Sequence, residues 1–177
     1  DANSSILNAL ADKGVFEVFQ KRISRLKNYK ALTDTSSIVL TEKQQLAFDE
    51  IHKGFDANKP VPLHGVTASG KTEIYIKLIQ ETIDEGKQVL YLLPEIALTE
   101  QIINRLKKYF GDKVGVYHSR YDNNERVEIW HQVMNFNRQQ SDNSQQTLSK
   151  DKHSKHQIII GSRSSLFLPY TDLGLII

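Results

Sequence analysis

The 177-residue chain contains no cysteine. Disulfides and thiolate zinc sites are therefore excluded within these residues, and the usage fits a reducing, cytoplasmic setting. The chain also lacks any apolar run approaching the roughly 18 residues of a membrane helix, so no membrane association is expected. Its first residues are polar and include Asp1, which is not the pattern of a signal peptide. Nor does one sign of charge dominate. Lys and Arg number 23 against 21 Asp and Glu, a net charge of +2. That balance neither demands nor excludes nucleic acid, because binding depends on where the charges sit. What is present is 39% hydrophobic residues, enough to expect a buried core in one sizeable domain, or one domain with a fragment of another. The chain ends on Leu175-Ile176-Ile177 without a polar tail. That ending reads as a strand cut in mid-run, and the chain as an excised piece of a longer protein.

Residues 4–14 read as a short helix, capped by Ser4 or Ser5 and stopped by Gly14. Residues 15–24 alternate apolar and polar in their first half and suggest a strand, and residues 29–37 read as a linker. Thr41 opens a helix through about Gly54, with Leu46, Ile51 and Phe55 expected inward. From there strand and helix alternate: strands at 61–64, 88–93, 113–118, 157–161 and 173–177, helices at 71–85, 97–110 and 124–136. Val127, Trp130, Val133 and Met134 are expected to form the buried face of the last helix. Strands separated by helix-length segments imply an α/β domain with a mostly parallel sheet covered on both faces. Residues 137–156 break the pattern. Rich in Gln, Ser, Asn and Lys and almost without apolar side chains, they cannot offset their ordering entropy and read as a disordered surface insertion. His153 and His156 lie in it without a rigid frame or acidic partners that would suggest a metal site.

One segment carries chemistry. Gly65, Val66, Thr67, Ala68, Ser69, Gly70, Lys71 and Thr72 match the phosphate-binding pattern G-x-x-x-x-G-K-[ST]. Glycines let the backbone curl so that successive N–H groups converge, and the following helix adds its positive N-terminal dipole. Lys71 is placed to reach the β- and γ-phosphates of a nucleotide, and the Thr72 hydroxyl to ligate Mg²⁺. The loop alone does not distinguish ATPases, GTPases, kinases and motors.

Other segments have both structural and functional readings. Thr41 and Gln44 form a capping-box pattern; a glutamine just upstream of such a loop can instead read adenine through paired hydrogen bonds. The two are compatible only if Gln44 does not turn back on its own helix. Pro94 and Glu95, with Thr99, follow a strand and open a helix, either as an ordinary loop or as a helix N-terminus offered to a nucleic-acid phosphate. Ser162, Arg163 and Ser164 follow another strand and are placed for phosphate contact, although Ser164 and Ser165 suit helix caps equally. His118 and Ser119 have no Cys or acidic partner at a spacing that supports nucleophilic catalysis. Arg126 is expected over the ring of Trp130, one turn away.

Taken together, G-V-T-A-S-G-K-T-E-I-Y, L-L-P-E-I-A-L-T, Y-H-S with a downstream E-R and Trp130, G-S-R-S-S-L-F-L-P and L-G-L-I-I resemble, in order and spacing, the PriA (primosomal protein N′) family of superfamily 2 replication-restart helicases. The resemblance covers about residues 38–177 and implies a P-loop NTPase RecA-like three-layer sandwich, the first motor lobe. Residues 1–28 are similar to the end of the family's winged-helix domain. By resemblance, ATP with Mg²⁺ would lie between two RecA-like lobes, Gln44 would contact adenine, and the motifs at 94–99 and 161–165 would line the single-strand DNA path or couple it to ATP. Hydrolysis would drive 3′ to 5′ movement on forked or single-stranded DNA during primosome assembly. Partners would be single-stranded DNA-binding protein and other primosome proteins, with zinc in the full-length parent but not in these residues.

The family usually has Gly where Ala68 stands, a difference expected to matter little, and Thr-Arg-Ser-Ala where Ser162, Arg163, Ser164 and Ser165 stand. Its Asp-Glu-Glu-His motif is expected just after Ile177, so these 177 residues alone are expected to hydrolyse ATP negligibly. Two other classes fit a P-loop or a winged helix in isolation: a small-molecule kinase, which would need a lid, and a non-enzymatic DNA-binding module.

Overall fold

The computed structural model describes residues 10–15, 30–66, 68–94, 100–117, 123–136 and 156–177. Most of the segments expected as a terminal helix and strand lie outside these, as do Glu95, Thr99, His118, Ser119 and residues 137–155. Among the described residues, helices α1 (Glu42–Asp56), α2 (Lys71–Asp84), α3 (Glu100–Phe110) and α4 (Asn123–Met134) and strands β1 (Gln88–Leu92), β2 (Val114–Tyr117), β3 (Ile158–Gly161) and β4 (Leu173–Ile176) follow in the order α1-α2-β1-α3-β2-α4-β3-β4. Every strand pair is parallel, in the order β2-β3-β1-β4. Gly161 is level with Leu92 on one side and Tyr117 on the other, so the turn after β3 leaves from the middle of the sheet's carboxyl edge.

The strands β1 and β3 are almost continuously buried, as a sheet covered on both faces requires. Alternate residues point to opposite layers. Val89, Tyr91, Ile158 and Ile160 pack with Ile74, Ile79 and Ile83 of α2 and Leu106 and Phe110 of α3. Leu90 and Ile159 pack instead with Ile129 and Val133 of α4 and with Leu168. The topology accounts for this split. The connection from β1 to β2 and the one from β2 to β3 run in opposite directions across the sheet. Right-handed crossovers then place their helices on opposite faces.

Two buried glutamines tie the layers together. Gln88 Oε1 accepts from the amides of Thr171 (2.9 Å) and Asp172 (3.2 Å), and its Nε2 donates to the Val133 carbonyl (3.3 Å). Gln157 Nε2 donates to the carbonyls of Ile83 (3.1 Å) and Lys87 (2.9 Å), satisfying the end of α2. Residues 29–37, expected as a linker, are also engaged where described. The amides of Leu32 and Thr33 donate to the Lys108 carbonyl in the last turn of α3, and Thr35 Oγ1 donates to Gln80. His156, at the edge of the expected insertion, is buried against Gly115 with Nδ1 3.0 Å from the Asp112 carbonyl. Burial holds its pKa below the ordinary histidine range.

Several expectations change. Residues 61–64 do not form a strand. Val61 and Leu63 do pack on the core, but Pro60 and Pro62 remove two N–H donors that a ladder would need. On α1, Ile51 is buried, whereas Leu46 and Phe55 face solvent, and Ala47 and Phe48 take their place against the core. On α4, the buried residues are Ile129 and Val133, with Val127 and Trp130 turned outward. Packing selects the buried face of each helix, α1 against α2 and α4 against the sheet. Because Trp130 points out, Arg126 lies over Tyr117 instead, 5.3 Å from its ring centre, and donates to its hydroxyl at 3.2 Å. Among the described residues no helix is long and apolar enough to cross a membrane.

Candidate nucleotide and nucleic-acid sites

The loop leading into α2 is built as its sequence requires. Ser69 N donates to the Val66 carbonyl (3.2 Å), closing a turn; Gly65, Val66, Ala68 and Ser69 are exposed, and Thr67 lies outside the described residues. Gly70 is the N-cap of α2 with φ 83°, a left-handed conformation that glycine adopts freely. A Cβ there would also lie 2.0 Å from Gln44 Nε2. On Gly65, a Cβ would meet Ser69 Oγ at 2.7 Å. Ala68 sits at φ 64°. The position where the resembled family carries glycine is thus one that disfavours a side chain, so the difference is not neutral: left-handed backbone costs a non-glycine residue about 1–2 kcal/mol.

No side chain caps α2; the Glu73 amide donates to the Gly70 carbonyl, which leaves the Lys71 and Thr72 amides at its start without a capping side chain. Lys71 starts that helix, and its ammonium donates to the carbonyls of Gly65 (2.5 Å) and Val66 (2.9 Å), which places the cation inside the curl. Thr72 follows in the same first turn, half-buried. Uncapped amides, a cation within the curl and glycines where a Cβ would collide fit a polyphosphate and its magnesium ion.

Gln44 does turn back on its own helix. Its Oε1 accepts from the Thr41 amide (2.8 Å) and hydroxyl (3.0 Å), and Thr41 Oγ1 accepts from the Gln44 amide, a complete capping box. Its Nε2 donates to the Gly70 carbonyl at 3.2 Å. The carboxamide therefore links the start of α1 to the start of α2, and an adenine contact would have to replace these bonds. Sequence reasoning passed over two further residues. Glu73, in the first turn of α2, pairs with Arg105 of α3. The acid after G-K-T is visible in sequence, but nothing local points to an arginine 32 residues away.

A second group gathers at the carboxyl ends of β1 and β3. Leu92, Leu93, Pro94, Ser162 and Arg163 line a cavity of about 320 Å³. The turn after β3 is the 3-10 helix Arg163–Phe167. Ser165 is fully buried, and its hydroxyl donates to the Ser162 carbonyl at 2.5 Å. Ser162 is the N-cap residue and makes no side-chain cap, so neither Ser164 nor Ser165 is the cap that sequence allowed. Ser162 is buried, whereas Arg163 and Ser164 are exposed, as is Phe167 at 88%. The structure thus joins Pro94 with Ser162 and Arg163, and Gln44 with Gly70.

A family model for the DEAD/DEAH box helicase domain matches residues 41–170, spanning both groups. The chain belongs to the DEAD/DEAH box helicase family. Within that family it is similar to the replication restart protein PriA of Bacillus subtilis, with 33% identity over 181 residues, all of this chain and 20% of that protein. The PriA of Haemophilus influenzae is 36% identical over 185 residues, again all of this chain and 22% of the relative. That of Rickettsia felis is 38% identical over 138 residues, covering 78% of this chain and 18% of the relative. The chain spans about a fifth of the length of these relatives. The parallel sheet with helices on both faces is the architecture expected from the sequence, and DEAD/DEAH membership implies ATP binding.

Proposed function

We propose that this chain is the nucleotide-binding part of the first motor lobe of an ATP-dependent 3′ to 5′ DNA helicase that acts in primosome assembly and restart of stalled replication forks. The observation that carries the reading is the curled loop at the start of α2, with Lys71 inside it, in a chain matched by the DEAD/DEAH box helicase model. In this reading Lys71 neutralises the β- and γ-phosphates, Thr72 ligates Mg²⁺, and residues 65–70 offer backbone amides. Gln44 supports the loop from behind through Gly70. ATP with Mg²⁺ supplies the free energy for movement when bound. Pro94, Glu95, Thr99, Ser162, Arg163 and Ser164 form the DNA-contacting edge, with the exposed Arg163 and Ser164 reaching phosphates and the buried Ser162 shaping the turn.

Residues 1–28 would close a winged-helix domain, residues 29–37 link it to the lobe, and residues 137–156 form an insertion. Zinc, single-stranded DNA-binding protein and other primosome proteins belong to the whole helicase, which works on forked and single-stranded DNA in the cytoplasm. The test is made on the full-length protein. Turnover of ATP should rise on adding single-stranded or forked DNA, and a duplex with a 3′ single-stranded tail should be unwound. Hydrolysis indifferent to DNA, or phosphate transfer to a small acceptor, would overturn the reading.

A further inference from the structure

We infer that Glu73 and Arg105 form a charge-balanced clasp through which α3 sets the phosphate affinity of the nucleotide loop; the inference rests on the nucleotide-binding reading of residues 65–72. Glu73 completes the first turn of α2, its amide donating to the Gly70 carbonyl at 3.2 Å. One carboxylate oxygen takes the Arg105 guanidinium. The other, Oε2, is buried and has no hydrogen-bond partner among the described residues. It lies over Gly70, where a Cβ would be 3.2 Å away. The Glu73 carboxyl group therefore stands at the end of the loop that would hold a triphosphate.

An acid in the first turn of a helix is ordinarily explained by the helix dipole, and a part-exposed ion pair is ordinarily worth little. Here that acid also sits beside Gly70 of the loop. A carboxylate beside the loop repels a polyphosphate, and does so more strongly where water is excluded. Arg105 cancels that charge. Among the described residues it is the cation paired with Glu73, and it comes from a different helix. The next residue, Leu106, is fully buried and anchors this turn of α3. The pair therefore joins α2 to α3. Any shift of α3 relative to α2 moves Arg105 from Glu73 and changes the charge felt at Gly70. Segment 94–99 leads into α3 along the chain, so the clasp links the proposed DNA edge to the nucleotide loop. Glu73 and Arg105 are positioning residues and act through the loop.

The test is a double-mutant cycle in the full-length protein, with binding of ATP and of ADP measured by titration in magnesium buffer. Arg105→Gln should weaken ATP binding by about fivefold to tenfold, and ADP binding by less, because ADP carries less charge. Glu73→Gln should leave ATP binding unchanged or tighten it. The double variant should bind like the wild type, and Arg105→Lys should largely preserve binding. Added salt should shrink the Arg105→Gln defect. A purely structural pair predicts that the double variant is no better than Arg105→Gln, and that result overturns the clasp. Thermal unfolding of each variant separates loss of fold from loss of affinity, since restored ATP binding cannot come from an unfolded protein. Lys71→Ala is the control for the underlying reading. Undiminished ATP binding in that variant defeats the nucleotide site itself, whereas a weakened Lys71→Ala beside an unaffected Arg105→Gln defeats only the clasp.

Discussion

The nucleotide loop and the turn after β3 are both small-residue segments that open helical backbone, yet they are held in opposite ways. The turn after β3 is wired from within. Ser165 donates both its amide and its hydroxyl to the Ser162 carbonyl, and the Ser165 carbonyl accepts from the Tyr170 hydroxyl at 3.1 Å. Among the described residues the nucleotide loop has one internal turn bond and a residue in left-handed backbone, and its other support comes from Lys71, which donates to its carbonyls, and from Gln44 through Gly70. A loop that must leave its own amides for a ligand cannot use them to hold itself, so neighbouring helices do it. A turn that presents side chains can consume its backbone groups internally.

Four substitutions would break or sharpen this contrast. The largest effect is expected for Lys71→Ala in the full-length protein: ATP turnover should fall by about 100-fold or more, the scale of losing one preorganised charge donor, with thermal stability little changed. Steady-state hydrolysis and a melting curve on the same sample check it. Next is Gly161→Ala, where a Cβ would lie 2.6 Å from Ser165 and 2.8 Å from the Tyr117 carbonyl. Overpacking of this kind costs about 1–3 kcal/mol, so the denaturation midpoint should drop while ATP affinity is retained. Gln44→Ala should cost about 1 kcal/mol of stability through its cap and also weaken ATP binding through Gly70. A stability loss without an affinity loss would detach it from the loop. The smallest effect, and the opposite sign, is expected for Ala68→Gly. Relief of left-handed strain, less the extra freedom glycine gives the unfolded chain, should leave a gain of about 0.5–1 kcal/mol, read by chemical denaturation.

What was legible in sequence divides along physical lines. The strands β1 and β3 and the stops at Gly86 and Gly111 could be read because apolar runs and left-handed glycines are local signals. The phosphate loop could be read because its chemistry dictates residue type and spacing. The rotation of α1 and α4 could not, since Ile129 and Trp130 lie on overlapping apolar stripes and only the sheet decides between them. Residues 61–64 misled because a short apolar stretch suggested a strand, while Pro60 and Pro62 had already weakened the backbone for pairing. Ser165 looked like a cap because burial of a hydroxyl has no sequence signature. The Glu73–Arg105 and Arg126–Tyr117 contacts join separate elements, and periodicity is silent about such pairs. The left-handed backbone at Ala68 was hidden because sequence gives residue type and not dihedral angle.

The carboxamide of Gln44 has a direction: its oxygen faces two donors at Thr41 and its nitrogen faces the Gly70 carbonyl. Glutamate, the other usual capping-box residue, would keep the first arrangement and set an anionic oxygen against a carbonyl in the second. The protein therefore carries an ageing point. Slow deamidation of Gln44 during storage would leave α1 capped and the fold intact by most measures, yet release the nucleotide loop from the helix behind it. A preparation could thus lose nucleotide affinity with only a small change in its melting curve, and the added negative charge would reveal the cause by isoelectric focusing or peptide mass analysis.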